Sequence, residues 1–117
     1  RSWGPGWALV GDAGYFEDPL STHGITDALR DAALLADAVV KIHSGDTSEA
    51  GALAAYQRQR DTMSEPLFRA IDEVSSYRWT MPELRRLLLS ASSAMTAQVE
   101  TLQELVPAPA AAPAVTA

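Results

Sequence analysis

Trp7-Ala8-Leu9-Val10 is a short apolar run closed by Gly6 and Gly11, and it limits the possible folds more than any other stretch of the chain. It is too brief for a helix and reads as a buried strand. The N–H and C=O groups of a strand need neighbours to pair with, and no other segment reads as one. Partner strands are therefore expected outside this sequence. The opening fits that expectation: there is no initiator Met, and Arg1-Ser2-Trp3-Gly4-Pro5-Gly6 is loop-like and leads at once into the apolar run. The chain reads as a fragment entered mid-domain.

Beyond the loop after this run, the pattern turns helical. Ile25, Ala28, Leu29, Ala32, Leu35, Ala36 and Val39 recur at the spacing of one helix face, with Asp27, Arg30, Asp31 and Asp37 on a charged face, ending near Ser44-Gly45. Asp46, with Glu49 three residues on, predicts a capping-box start for a second helix through Tyr56 to about Met63. Pro66 is expected to kink or interrupt it before a continuation through Leu67, Ile71 and Val74. Thr80-Met81-Pro82-Glu83 is a second capping box, opening a helix with Leu84, Leu87, Leu88, Ala91, Met95 and Leu102 on one face and Pro107 at its end. The Ala/Pro-rich stretch 107–117 has nothing to pack and is expected to be disordered. The piece is thus predicted to be mostly α, one short strand followed by three or four helices.

Composition narrows the function classes. With 117 residues, 47% of them hydrophobic and 21% charged, the chain is globular and of single-domain size. A formal net charge of -6 argues against a nucleic-acid partner, whose phosphates call for clustered Lys and Arg; Arg85-Arg86 is the only dense basic pair. Without cysteine there is no disulfide, thiol nucleophile or thiolate metal site. No run approaches the roughly 20 apolar residues that span a bilayer, so a soluble cytoplasmic protein without a membrane span is expected. Asp12, Glu17 and Asp18 crowd one loop without the spacing of a calcium loop, and no metal site is expected.

The chemistry concentrates between Gly11 and Thr22. A strand that ends in Gly-Asp, a polar loop, and a helix whose first turn lacks bulky polar side chains suit a polyhydroxy, partly anionic ligand. Gly11 allows close approach, Asp12 can accept from hydroxyls, and the helix start offers free N–H groups and a positive dipole end. The same residues also suit a purely structural role, in which Asp12 caps a turn, Pro19 stiffens the loop and Ser21 or Thr22 caps the helix. His23 reads as a cap or surface residue, with ligand contact or acid–base work as the alternative. Tyr56 and Trp79 read as packing residues.

Gly11-Asp12-Ala13-Gly14, Asp18-Pro19, Gly24-Ile25, Asp27-Ala28, Arg30-Asp31-Ala32 and Leu35-Ala36 together resemble the second FAD-binding motif of flavoprotein monooxygenases of the para-hydroxybenzoate hydroxylase type. The resemblance implies an α/β parent fold, FAD/NAD(P)-binding and Rossmann-like. It implies that Asp12 accepts from a ribityl hydroxyl, that Gly11 and Ala13 let the chain pass close to the cofactor, and that Pro19 lies beside the isoalloxazine ring. Gly24, Ile25 and Thr26 would turn backbone N–H groups toward the N1/O2 edge of the flavin, which becomes negative on reduction. The pattern departs from the family at Tyr15, where many members carry His.

By the same resemblance, residues 1–44 are the last strand, loop and helix of the FAD-binding domain, 45–106 a C-terminal helical region, and 107–117 a tail. The Gly-x-Gly-x-x-Gly turn of the Rossmann half is absent from the sequence, as is a substrate-binding sheet. FAD retention by this piece alone is not expected. The complete enzyme would be an FAD-dependent oxidoreductase, a monooxygenase taking electrons from NAD(P)H and acting with oxygen on a small organic substrate. Flavin-dependent halogenases and reductases share the motif, and a cofactor-free helical interaction module is the competing class.

Overall fold

The computed structural model describes residues 1–105, so the helix end at Pro107 and the 107–117 tail lie outside the described residues. Two short strands, β1 (Trp3–Gly4) and β2 (Trp7–Ala8), precede three long helices, α1 (Gly24–His43), α2 (Glu49–Ser75) and α3 (Met81–Leu105). Single 3-10 turns at Gly11–Ala13 and Pro19–Ser21 shape the connection into α1. The chain is mostly helical, as its periodicity predicts.

The strand differs from expectation. Its partner lies in the segment that reads as loop: β1 and β2 pair antiparallel, Trp3 opposite Ala8 and Gly4 opposite Trp7. Pro5 and Gly6 make the turn, with Gly6 at φ 77, the arrangement in which proline leads and a left-handed residue comes second. The strand itself ends at Ala8, with one further backbone bond from the Leu9 N–H to the Ser2 carbonyl at 2.8 Å, and Trp7 is 49% exposed, so the run is part of a two-stranded ribbon rather than a buried strand.

Helix boundaries obey local chemistry with one substitution of roles. The cap of α2 is Ser48, whose Oγ accepts from the Gly51 N–H at 3.2 Å. Asp46, expected there, instead accepts from the Ser44 hydroxyl at 2.6 Å, and Glu49 accepts from the Gly6 N–H at 2.7 Å, tying the hairpin to α2. At the end of α1, Gly45 at φ 80 lets its own N–H reach the Ile42 carbonyl and the Asp46 N–H reach Lys41, a Schellman closure. At the start of α3, the Thr80 N–H and hydroxyl both donate to Glu83 at 2.7 Å and hold its carboxyl below the usual range.

Pro66 does not divide α2, which runs through it as one helix. A proline removes one rung of the ladder and crowds the preceding turn, and it is tolerated where neighbours re-satisfy the carbonyls nearby. The carbonyl that loses its rung is that of Thr62; beside it, Gln98 Nε2 of α3 donates to the Met63 carbonyl at 3.2 Å.

Packing falls into two clusters. Leu34 and Ala38 of α1 meet Ala52 and Tyr56 of α2, and farther along α2 Leu67, Ala70 and Ile71 meet Ala91 of α3. The radius of gyration is 17.4 Å, against about 13 Å for a compact domain of this length, so the helices form an open arrangement.

That openness overturns the assignment of faces on α1. Its buried residues are Asp27, Arg30, Asp31, Leu34 and Ala38, while Ile25 is 81% and Leu29 68% exposed, with Val39 and Val40 exposed too. In the first turns of α1 the charged residues Asp27, Arg30 and Asp31 point inward and Ile25 and Leu29 outward, while farther along Asp37 is exposed and Leu34 and Ala38 pack against α2.

Candidate functional site

Arg30 explains the inversion. Its side chain is fully buried; Nη1 donates to Asp27 Oδ1 at 2.6 Å, and Nε and Nη2 both donate to Asp31 Oδ1, at 2.9 and 2.7 Å. Burial works against the guanidinium charge, but Tyr15 and the two carboxylates outweigh it and raise its pKa. The remaining carboxylate oxygens hold the loop: Asp31 Oδ2 accepts from the Gly11 N–H at 3.0 Å, and Asp27 Oδ2 accepts from the Tyr15 hydroxyl at 2.6 Å. Burial and that bond push the Tyr15 hydroxyl up to about 12, so it stays protonated. The triad thus fixes both ends of Gly11–Tyr15 to the first turns of α1.

Gly11 is required by this docking. It has φ 54, and a Cβ there would sit 3.0 Å from the Ala28 methyl group of α1. Close approach of loop to helix, rather than loop to ligand, accounts for the glycine. Behind the loop, the Arg60 guanidinium stacks over the Tyr15 ring at 5.4 Å and the Tyr56 hydroxyl donates to the Leu9 carbonyl at 2.7 Å. Tyr56 is therefore a packing residue with a polar tether.

Between loop and helix lies a cavity of about 310 Å³. Of the residues expected at the site, Gly11, Asp12, Pro19, Gly24 and Ile25 line it, whereas Ala13 and Thr26 are not among its lining. Tyr15, Glu17, Ser21, His23 and Asp27 complete much of the wall. Asp12 Oδ1 faces the start of α1, 3.9 Å from where a Cβ on Gly24 would stand.

The structural duties that Asp12 could have had are taken by others. Asp18 closes the turn by accepting from the Leu20 N–H at 3.0 Å, and Ser21 accepts from the His23 N–H at 3.2 Å. The Asp12 side chain makes no hydrogen bond or salt bridge among the described residues and is exposed. His23 occupies the N-cap position of α1, but its side chain makes no cap hydrogen bond, contrary to the cap reading, and Ser21 and Thr22 do not cap the helix either. The first intrahelical bond is from the Asp27 N–H to the His23 carbonyl, at 2.9 Å. The preceding N–H groups, at Gly24, Ile25 and Thr26, have no capping side chain.

Two further groups on this wall are unpaired. Both Glu17 carboxyl oxygens and His23 Nε2 are sealed from solvent and have no hydrogen-bond partner. Burial is the main force pushing the Glu17 pKa up, with Asp27 and Asp18 adding to it and Arg30 opposing. The Ser21 hydroxyl is near enough to ease that shift, yet no donor meets hydrogen-bond geometry at either Glu17 oxygen.

A free acceptor at Asp12, an uncapped positive helix end and orphaned polar atoms fit a ligand with hydroxyls on one side and an electron-rich edge on the other. Reading the sequence for apolar period alone missed the triad, because Asp27, Arg30 and Asp31 look like a solvated face. The three-residue spacing of Asp27 and Arg30 was the available signal, whereas the adjacent Arg30–Asp31 pair offers none.

No helix among the described residues is long and apolar enough to cross a membrane. No protein-family model and no solved structure matches the chain. Across 55 residues, 47% of this chain, it is 46% identical to a curated protein of Chondromyces crocatus named tryptophan 2-halogenase, and the matched region spans 10% of that protein's length.

Proposed function

We propose that this chain supplies the second half of an FAD site in a flavin-dependent oxidoreductase. The observation that carries the reading is the corner where the unpaired Asp12 carboxylate faces the uncapped N-terminus of α1. In that corner Asp12 would accept from a ribityl hydroxyl, the N–H groups of Gly24, Ile25 and Thr26 would serve the N1/O2 edge, and Gly11 and Pro19 would border the ligand. Bound FAD would supply two-electron transfer from NAD(P)H and reaction of the reduced ring with oxygen. The protein's own part is to hold the ring, favour its negative reduced form through the helix dipole, and keep the loop rigid through the Arg30 triad.

The Rossmann half and a substrate-binding region complete the site as partners of this piece. The apolar stripe of Ile25, Leu29 and Val39 is the surface that such a domain, of an α/β parent fold, would cover. On this reading the enzyme is a monooxygenase acting on a small organic substrate. Similarity to the protein named tryptophan 2-halogenase favours a second reading, flavin-dependent halogenation.

The test is the product of the complete gene, purified under native conditions. The flavoprotein reading expects a yellow protein with a flavin spectrum that is lost on denaturation. A colourless, well-folded product leaves the helical interaction module as the better account. Halide dependence of product formation then separates halogenase from monooxygenase.

A further inference from the structure

The outer faces of α2 and α3 differ. Helix α2 exposes Arg58, Glu65, Arg69, Asp72 and Glu73, as a solvated helix does. Helix α3 buries Ala91 and Gln98 toward α2, yet from Leu87 to Val99 it holds no charged residue, and Leu88, Leu89 and Val99 are exposed, Leu89 at 64%. An uncharged, partly apolar helix face about three turns long is one that a neighbour covers.

Charge is confined to the two ends of that face. Arg85 and Arg86 stand before it and Glu100 after it; all are exposed, and none is in a salt bridge among the described residues. Arg85, Leu89, Ser92, Thr96 and Glu100 follow one another at helical spacing on the side away from Ala91. The middle of the row, Ser92 and Ser93, is small enough for two backbones to come close, and the Thr96 hydroxyl is satisfied within the helix by donating to the Ser92 carbonyl at 3.1 Å. A face that is basic at one end, apolar along its length and acidic at the other complements itself when turned end for end. Arg85 and Glu100 lie equally far in sequence from the midpoint of Ser92 and Ser93, as do Leu89 and Thr96. Two antiparallel copies of α3 crossing there set Arg85 of each against Glu100 of the other and bring Leu88 and Leu89 of each to Thr96 and Val99 of the other. A parallel pair would set like charges side by side.

We infer that α3 is a self-association surface, through which two copies of this chain pair antiparallel about a two-fold axis between Ser92 and Ser93. The inference is independent of the flavin reading, since the face uses none of the residues that line the Asp12 cavity. Leu88, Leu89 and Val99 supply the affinity, and the exposed ion pairs, worth little on their own, fix direction and register.

The test is the oligomeric state of the protein made from the complete gene, measured by sedimentation equilibrium. A dimer is expected. Leu89→Glu, which brings two carboxylates close to the axis, is expected to weaken it about a hundredfold. Arg85→Glu and Glu100→Arg each set like charges opposite one another and are expected to weaken it about tenfold. The protein carrying both reversals is expected to recover most of that loss, a rescue that a merely structural role of either residue would not produce. These side chains are exposed in the single chain, so the changes leave its own packing in place, and an unaltered circular dichroism spectrum checks this. A monomeric unaltered protein overturns the inference and leaves the face to another domain of the complete protein. A dimer that tolerates Leu89→Glu, or one in which the double reversal recovers nothing, overturns it as well, because the contact then lies elsewhere or in another register.

Discussion

Helices α2 and α3 bury Leu67, Ala70, Ile71 and Ala91 against each other, whereas α1 buries Arg30, Asp31 and Asp27 and leaves Ile25 and Leu29 in the open. In the first region the local rules agree with one another. Caps at Ser48 and Thr80 are made and apolar residues face apolar residues, although Arg60 Nη1 and Gln98 Oε1 are buried without partners. In the second region the rules conflict. A buried ion triad occupies the first turns of α1 ahead of its apolar contact with α2, a helix start goes uncapped, and polar atoms on the cavity wall lack partners. Conflicts of this kind gather where a structure is shaped for a ligand or a neighbour rather than for its own stability.

Arg30→Met is expected to have the largest effect. It strands two buried carboxylates, and a loss of about 3–5 kcal/mol is expected in urea unfolding. The exposed Lys41–Asp37 pair is the control: Lys41→Ala is expected to cost about 0.5 kcal/mol or less. A small effect at Arg30 would mean that the triad is not what holds the loop.

Leu29→Gln sharpens the same contrast from the other face of α1. In the isolated chain, where Leu29 is exposed, the change should stay within about 0.5 kcal/mol. In the protein made from the complete gene, where a further domain is proposed to cover this stripe, it should cost about 2 kcal/mol or more. Equal effects in the two settings would show that the stripe stays uncovered.

Gly11→Ala should destabilise by about 1–2 kcal/mol, since it forces a Cβ into a left-handed position beside Ala28. The smallest expected effect is on pH dependence. The folded-state pKa of Glu17 lies above its ordinary 4.5, so its contribution to stability is fully present below that value and is lost as pH rises through the folded-state pKa. Glu17→Gln should therefore gain on the unaltered chain as pH is raised from acid toward neutral in unfolding measurements. No pH-dependent difference would show that Glu17 titrates as in the unfolded chain.

Much of this was legible in the sequence because it is local. The presence of the three helices, the Thr80–Glu83 cap and the Gly45 stop each depend on a few adjacent residues, whereas the Ser48 cap of α2 and its unbroken run through Pro66 were not read. The loop carrying Asp12 and the start of α1 at Gly24 could be read for the same reason. What could not be read depends on what faces what. Period alone cannot say whether the stripe at Ile25 and Leu29 or the one at Asp27 and Asp31 turns inward, because that is decided by Tyr15 and Gly11 folding back onto α1. The hairpin was hidden for a related reason: two-residue strands carry no alternation, and only the Pro5-Gly6 turn announces them.

On the proposed function, Asp12, free of structural duties, meets a ribityl hydroxyl of FAD. The direct measurement is FAD affinity of the protein from the complete gene with and without Asp12→Ala. Loss of a charge-assisted bond predicts weakening by about 1–3 kcal/mol, roughly 5- to 150-fold in Kd, with thermal stability little changed because the side chain makes no bond within the described chain. Unaltered flavin affinity in the Asp12→Ala protein would contradict it.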